Sequence, residues 1–250
     1  MTPWEAIETR ISCRAYQEKF LPEDVLAQLE QKVADLNAES GLRFCLCTSR
    51  DPEKPAVKLA GAMFSGKVYV VAVLIGGEDA LSAEKVGYYG QELVLFATRL
   101  GLGTCWVAGT YDAKSLDVAP AAGEKIWDVI PMGYAPEKTP RKQSMIRAAI
   151  RRKSRKLESF VESETPFDAL PEWVKKGALA VSLGPSAVNQ QPANILWRDG
   201  RAYAKLWKDG HGLGHNDLGI AKKQFEVGAA ECGVKGVWQF GDGGEFIIQA

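Results

Sequence analysis

Apolar residues recur at helical spacing in several stretches of the chain. Over 22–38, Val25, Leu29, Val33 and Leu36 lie three or four residues apart, which places them on one helix face. Over 80–100, Val86, Leu93, Phe96, Ala97 and Leu100 mark a second such face, and Gly101 stands where a left-handed cap belongs. A third helix is predicted over 218–232, capped by Asp217 and stopped by Gly233. Shorter helices are expected at 3–10, behind Thr2 as N-cap with Pro3 in the first turn, and at 170–177. Between the helices the pattern changes to unbroken apolar or β-branched runs. Residues 42–48, 67–74, 126–133, 237–240 and 246–249 read as strands. Residues 195–197 and 202–207 read as a hairpin around Asp199-Gly200.

Two stretches of this pattern match each other. When Gly87–Trp106 is laid on Gly219–Trp238, each is a helix, a glycine stop and a turn into tryptophan, with Ala97 on Ala229 and Gly101 on Gly233. The match predicts two copies of one unit, the second shorter. The expected architecture is α+β, with helices packed on antiparallel sheet. It divides into two unequal halves, residues 1–160 and 161–250.

Composition narrows the class. The 250 residues are 46% hydrophobic and 25% charged, enough for a substantial core. The formal net charge is zero, so no global field favours nucleic acid or an anionic membrane. No apolar run reaches the length of a membrane span, and the first residues lack the charge and apolar pattern of a signal peptide. The odd number of irregularly spaced cysteines (Cys13, Cys45, Cys47, Cys105 and Cys232) reads as reduced thiols in a cytoplasmic protein. His211 and His215 are the only histidines, lie among glycines and have no ligand pattern beside them, so no metal site is expected.

Four segments carry candidate chemistry. Arg10, Ser12 and Arg14 alternate as in an extended segment, which turns two guanidiniums and a hydroxyl to one side, toward an anion. Residues 138–156 are basic and contain no acid, and they end in Lys153-Ser154-Arg155-Lys156. This run could contact nucleic acid, but it lacks interleaved aromatic residues. In Gly101-Leu102-Gly103-Thr104-Cys105-Trp106-Val107-Ala108-Gly109, small residues let backbone approach a flat ring closely, and an N–H near Ala108-Gly109 could face it. Pro185-Ser186-Ala187-Val188-Asn189-Gln190-Gln191-Pro192 is a tight turn rich in amide and hydroxyl groups.

Together these segments resemble the nitroreductase family. The family's Arg-x-Ser-x-Arg falls on Arg10, Ser12 and Arg14, its Gly-Leu-Gly-Thr turn on Gly101–Thr104, its Lys-x-Arg on Lys153 and Arg155, and its Pro-Ser-x-x-Asn loop on Pro185–Pro192. The resemblance implies bound FMN. The site would comprise Arg10, Ser12, Arg14, Trp106, Ala108, Gly109, Lys153, Arg155, Pro185, Ser186, Ala187, Asn189 and Gln191, with no side chain acting as acid or base. It implies NADH or NADPH as transient hydride donor and a nitroaromatic or quinone as acceptor. The alternative is a flavin-binding protein that turns nothing over.

The Pro-Ser-x-x-Asn loop usually follows Arg-x-Ser-x-Arg closely, yet here it lies about 170 residues further on, a separation read from Arg14 and Pro185. In the family a partner subunit delivers this loop. The chain therefore resembles a fused pseudo-dimer that completes one flavin site in cis and needs no second copy. The first half has Ala34–Gly41 where its own loop would be, and the second half lacks Arg-x-Ser-x-Arg. Where many relatives carry Glu beside flavin N5, this chain has Ala108.

Overall fold

Helix α1 (Pro3–Thr9) starts on a reciprocal cap: Thr2 Oγ1 accepts the Glu5 N–H at 3.1 Å and Glu5 Oε2 accepts the Thr2 N–H at 2.7 Å. The computed structural model describes residues 1–138, 144–145, 155–208 and 212–249. Most of the basic run, including Lys153, lies outside the described residues, as does His211.

Helix α2 (Glu23–Ser40) buries Leu26, Leu29, Val33 and Leu36 and stops at Gly41, whose φ is +71°. Val25, expected on this face, is half-buried in the first turn, and Leu26 is the buried residue there. Strand β1 (Arg43–Thr48) follows at once. A longer connection containing β2 (Lys58–Leu59) leads to β3 (Val70–Gly77). The apolar run expected as a strand from 67 begins its ladder only at Val70, opposite Thr48. Before it, Val68 and Tyr69 accept hydrogen bonds from Ala56 and Ser49 of the connection. Helix α3 (Ala80–Arg99) leads to β4 (Gly103–Thr104), β5 (Tyr111–Asp112) and β6 (Glu124–Gly133). The first sheet runs β1-β3-β6-β4, all antiparallel, while β2 pairs with β5.

The second series begins with the two-residue strand β7 (Val161–Glu162) and α4 (Glu172–Leu183). This helix runs six residues past the expected end at 177. Gly177 is a point of close approach: a Cβ there would meet the Phe225 ring at 2.4 Å. Then come β8 (Ala193–Arg198), β9 (Arg201–Leu206), α5 (Gly214–Glu231), β10 (Gly236–Trp238) and β11 (Gly244–Ile248). Asp199 and Gly200, with φ of +52° and +74°, make the expected tight hairpin turn between β8 and β9. The sheet order is β10-β11-β9-β8-β7, with β7 joining β8 in parallel. Helix α5 starts at Gly214, four residues earlier than expected, so His215 lies in its first turn and Asp217 lies inside the helix.

With the separate β2–β5 pair set aside, the order helix-strand-strand-helix-strand-strand occurs twice. Read from β1 and from β8, both sheets also have the same strand order. The second helix of each series ends alike. Leu102 N donates to Ala97 O at 3.0 Å and Val234 N to Ala229 O at 3.1 Å, around Gly101 (φ +80°) and Gly233 (φ +79°).

Two compact units result, and they do not follow a single cut near residue 160. Unit 1 holds Met1, Thr9–Glu78 and Leu93–Ala148, and unit 2 holds Thr2–Glu8, Asp79–Glu92 and Ala149–Ala250. In unit 1 one core cluster gathers Val71, Val73, Ile75 and Val129 of the sheet with Cys13, Tyr16, Phe64 and Val107. In unit 2 the core is aromatic, with Trp173, Phe225, Trp238 and Phe246 in mutual ring contact. There the first part of α3 crosses α5 at two glycines. A Cβ on Gly87 would meet Asn216 O at 1.9 Å, and a Cβ on Gly219 would meet Glu84 O at 1.9 Å. Neither position can carry a side chain without moving a helix.

Unit 2 also contains a buried ion pair. Lys222 Nζ donates to Glu84 Oε1 at 2.5 Å and to the carbonyls of Gln239 and Gly241, both at 2.9 Å, and Glu84 Oε2 accepts the Gly241 N–H. All three ammonium protons are satisfied, which makes a fully buried charge tolerable. Among the described residues no helix is long and apolar enough to cross a membrane.

Candidate functional site

In unit 1 the segment 10–17 is extended because its backbone pairs at three places. Cys13 N donates to Thr104 O at 2.8 Å, Tyr16 N to Ser65 O at 3.0 Å and Gln17 N to Tyr134 O at 2.8 Å. Ser12 is bridged to Thr104 in parallel. Gly103 makes room for the arm, since a Cβ there would meet Cys13 Sγ at 2.7 Å. Alternation along this segment sends Cys13 and Ala15 into the core.

Ser12 shares a hydrogen bond with the Cys105 thiol, and Cys105 lies within electrostatic reach of both Arg10 and Arg14. Burial pushes the Cys105 thiol up to about 11, with Arg14 and Arg10 opposing the rise, so it is a neutral thiol at physiological pH. The three polar residues of the Arg-x-Ser-x-Arg string thus gather around Cys105.

Arg10 is the exceptional member. The residue as a whole is half-buried, yet its Nε and Nη1 are enclosed and have no hydrogen-bond partner. Burial brings its pKa down to about 10; Cys105 counteracts this and Arg14 adds to it. Among the described residues neither Arg10 nor Arg14 has a carboxylate partner. An enclosed cation without an anion is unfavourable by several kcal/mol on an order-of-magnitude basis. Nearby, Thr104 Oγ1 is also buried and unpartnered. Two guanidiniums and a free hydroxyl are the donors that a phosphate dianion takes.

Beyond β4 the chain reaches Val107, which exchanges hydrogen bonds with Val129 at 3.1 and 2.9 Å as an isolated bridge. Trp106 is half-buried. Ala108 and Gly109 then emerge exposed, and among the described residues their amides have no backbone partner. Such free, fixed N–H groups can meet the polar edge of a flat ligand.

In unit 2 the loop after α4 carries the other string. Its backbone is left-handed at Val188 (φ +43°), Asn189 (φ +55°) and Gln191 (φ +49°). Ser186 Oγ accepts the Gln191 N–H at 2.9 Å, and Ala187 N donates to both Asp217 oxygens, at 3.0 and 3.1 Å. Gln191 is buried; its Oε1 accepts the Arg155 N–H at 2.9 Å and its Nε2 donates to Ser182 O at 3.2 Å. Arg155 commits its guanidinium to the same surroundings. Nη1 donates to Gln191 O at 2.8 Å, Nη2 to Asn194 Oδ1 at 2.8 Å and to Ser159 O, and Nε to Ser159 Oγ at 3.3 Å. Its face also lies over Phe160 and Trp207. Pro185, Ser186, Gln191 and Asp217 line a small recess with Phe160 and Ile220.

The structure thus gathers the expected residues into two sets: Arg10, Ser12, Arg14, Trp106, Ala108 and Gly109 in unit 1, and Arg155 with Pro185–Gln191 in unit 2. Arg155, one of the residues expected to bind the coenzyme, holds the loop through these bonds. Sequence reasoning missed the roles of Cys105, Thr104 and Asp217. The i,i+2 spacing from Gly103 gave a faint signal for Cys105. Nothing local pointed to the contact between Asp217 and Ala187, residues thirty positions apart.

Comparison with known proteins follows the same lines. The family model described as "Putative TM nitroreductase" matches residues 3–229. A crystal structure from Thermotoga maritima, described as a "putative nitroreductase", is 24% identical, covers 99% of this chain and 93% of its own, and superposes with a TM-score of 0.63. A nitroreductase family protein from Clostridium difficile is 17% identical over 66% of this chain and 100% of its own, with a TM-score of 0.48. A search of curated proteins finds no match.

Proposed function

The chain belongs to the nitroreductase family so described, a family of oxidoreductases, and from that premise we propose that it holds one FMN, accepts hydride from NADH or NADPH and passes electrons to an electron-poor nitroaromatic or quinone. The observation that carries the reading is the enclosed, unpartnered guanidinium of Arg10 beside Arg14. It fits a dianionic phosphate better than a neutral ligand or an inert scaffold. When bound, the flavin supplies the two-electron chemistry, in a ping-pong order.

The chain's own residues bind and orient. Arg10, Ser12 and Thr104 take the phosphate and ribityl oxygens. Arg14 lies nearer the pyrimidine edge, where a cation favours negative charge. The Ala108 and Gly109 amides point donors at the ring edge, and Trp106 supports the turn. The loop from Pro185 to Gln191, including Ser186, Ala187 and Asn189, offers the amide and hydroxyl groups that the polar edge of a flavin takes. Lys153 would add a further cation. No side chain is required to move a proton for hydride transfer.

The pseudo-dimer reading is supported by the repeated strand order and by the contacts of α3 with α5. Gly87 meets residue 216 and Gly219 meets residue 84. With 87 aligned on 219, residue 84 falls on 216, so the contact is reciprocal, as across a two-fold axis. On this reading the fused chain acts as a monomer. Its five free cysteines suit the cytoplasm.

The test is flavin stoichiometry on denatured protein, followed by anaerobic addition of NADH and of NADPH. One FMN per chain that bleaches with either donor is expected. Two per chain would refute the shared site, and none would refute the flavin.

A further inference from the structure

Taking residues 185–192 as a coenzyme-binding loop, as proposed above, we infer that Asp217 and Arg155 clamp this loop in a strained, pre-set conformation, and that Asp217 is a positioning residue for the coenzyme. Val188 shows the strain most clearly. A β-branched residue at φ +43° is unfavourable, and Val188 is 66% exposed, so packing does not hold it there. Asn189 tolerates the left-handed region well, but Gln191 at φ +49° does so less readily. The restraint must therefore come from the ends of the loop.

Both ends are fixed by buried groups. At the start, Asp217, a residue only 6% exposed in the first turns of α5, accepts the Ala187 N–H with both carboxylate oxygens. At the end, Gln191 has every polar group engaged. Its N–H goes to Ser186 and its side-chain amide to Arg155 and Ser182. Its carbonyl accepts from Arg155 Nη1 and from Trp207 Nε1 at 3.0 Å. Between the clamps the turn closes on itself through Asn189 N to Ser186 O and Gln190 N to Ala187 O, both 3.0 Å. With its ends tied to α5 at Asp217 and to α4 and Arg155 at Gln191, the loop cannot relax. It presents its amides in one arrangement before any ligand arrives, which lowers the ordering cost of binding.

The experiment is a cycle of Asp217→Ala and Val188→Gly, read by FMN dissociation constants and by amide exchange at Ala187 in flavin-free protein. Asp217→Ala should speed Ala187 exchange at least about tenfold and weaken FMN about tenfold. In the Val188→Gly background glycine takes φ +43° without strain, so Asp217→Ala should there cost about threefold or less in affinity. Equal losses in both backgrounds, or unchanged Ala187 exchange, would overturn the clamp. If Asp217→Ala does not fold, Asp217→Asn keeps one acceptor oxygen and should give about a threefold change in each readout; no change in either overturns the inference. Wild-type protein that binds no FMN would defeat the proposed function, while the exchange readout would still decide the clamp.

Discussion

Arg10 in the N-terminal arm and Arg155 beside the 185–192 loop are both guanidiniums drawn out of water, yet their surroundings are opposite. Arg155 finds acceptors on Gln191, Asn194 and Ser159 and two aromatic faces. Arg10 has two enclosed nitrogens and no acceptor. Burial lowers the pKa of both. On the proposed reading, Arg155 is a scaffold cation, whose partners are built in, and Arg10 a ligand cation, whose partner is brought by something else. The same contrast recurs between the two repeats. The first turns from α2 into β1 through Gly41 and Leu42 alone, while the second inserts residues 184–192 between α4 and β8. The second repeat thus carries an amide-rich loop that the first lacks.

Substitutions should divide along this line. The largest effect is expected at Lys222, the most completely partnered cation. Lys222→Ala leaves Glu84 buried and unpaired and should lower unfolding free energy by about 3–5 kcal/mol in urea titration; a loss below about 1 kcal/mol would mean that the pair is not load-sharing in solution. Arg10→Ala should weaken FMN about 100-fold, roughly 2.7 kcal/mol, without destabilising the flavin-free protein. Here the pH dependence has a definite sign. Arg10 has a folded pKa of about 10, below the ordinary guanidinium range, so above about pH 10 the unfolded chain binds more protons. The penalty of charging Arg10 is present in full below about pH 10 and fades as pH rises further, toward the ordinary guanidinium range. Flavin-free wild type should therefore be less stable than Arg10→Ala at pH 8, and the gap should close above pH 10; a gap independent of pH would contradict an enclosed cation. Arg155→Ala should do the reverse of Arg10→Ala, lowering flavin-free stability by about 2 kcal/mol through orphaned Gln191 and Asn194 acceptors. The smallest effect is expected at Asn189, where Ala should weaken FMN about threefold to tenfold and leave stability within about 0.5 kcal/mol.

Much of the fold was legible in the chain. Helical periodicity located α2, α3 and α5, and Asp199-Gly200 located the β8–β9 turn, because these signals act over a few residues. The glycine stops at 101 and 233 were legible for the same reason, as each is a local backbone requirement. The extent of α4 was not legible, since Gly177 resembles a stop by itself and becomes a contact only when Phe225 packs on it. The two-residue strands β2, β5 and β7 gave no signal, as pairing alone defines so short a strand.

For the candidate site, the sequence by itself determined which residues carry donors: the alternating Arg10, Ser12 and Arg14, the glycine-rich turn, and the amide string from Pro185. Residue chemistry and spacing along one strand or loop suffice for that. Only the tertiary structure decided which of those donors already have acceptors. It assigned Arg155 and Gln191 to the loop's own support, brought Asp217 against Ala187, and left Arg10 enclosed without a partner, because hydrogen-bond satisfaction and desolvation depend on neighbours that are distant in the chain.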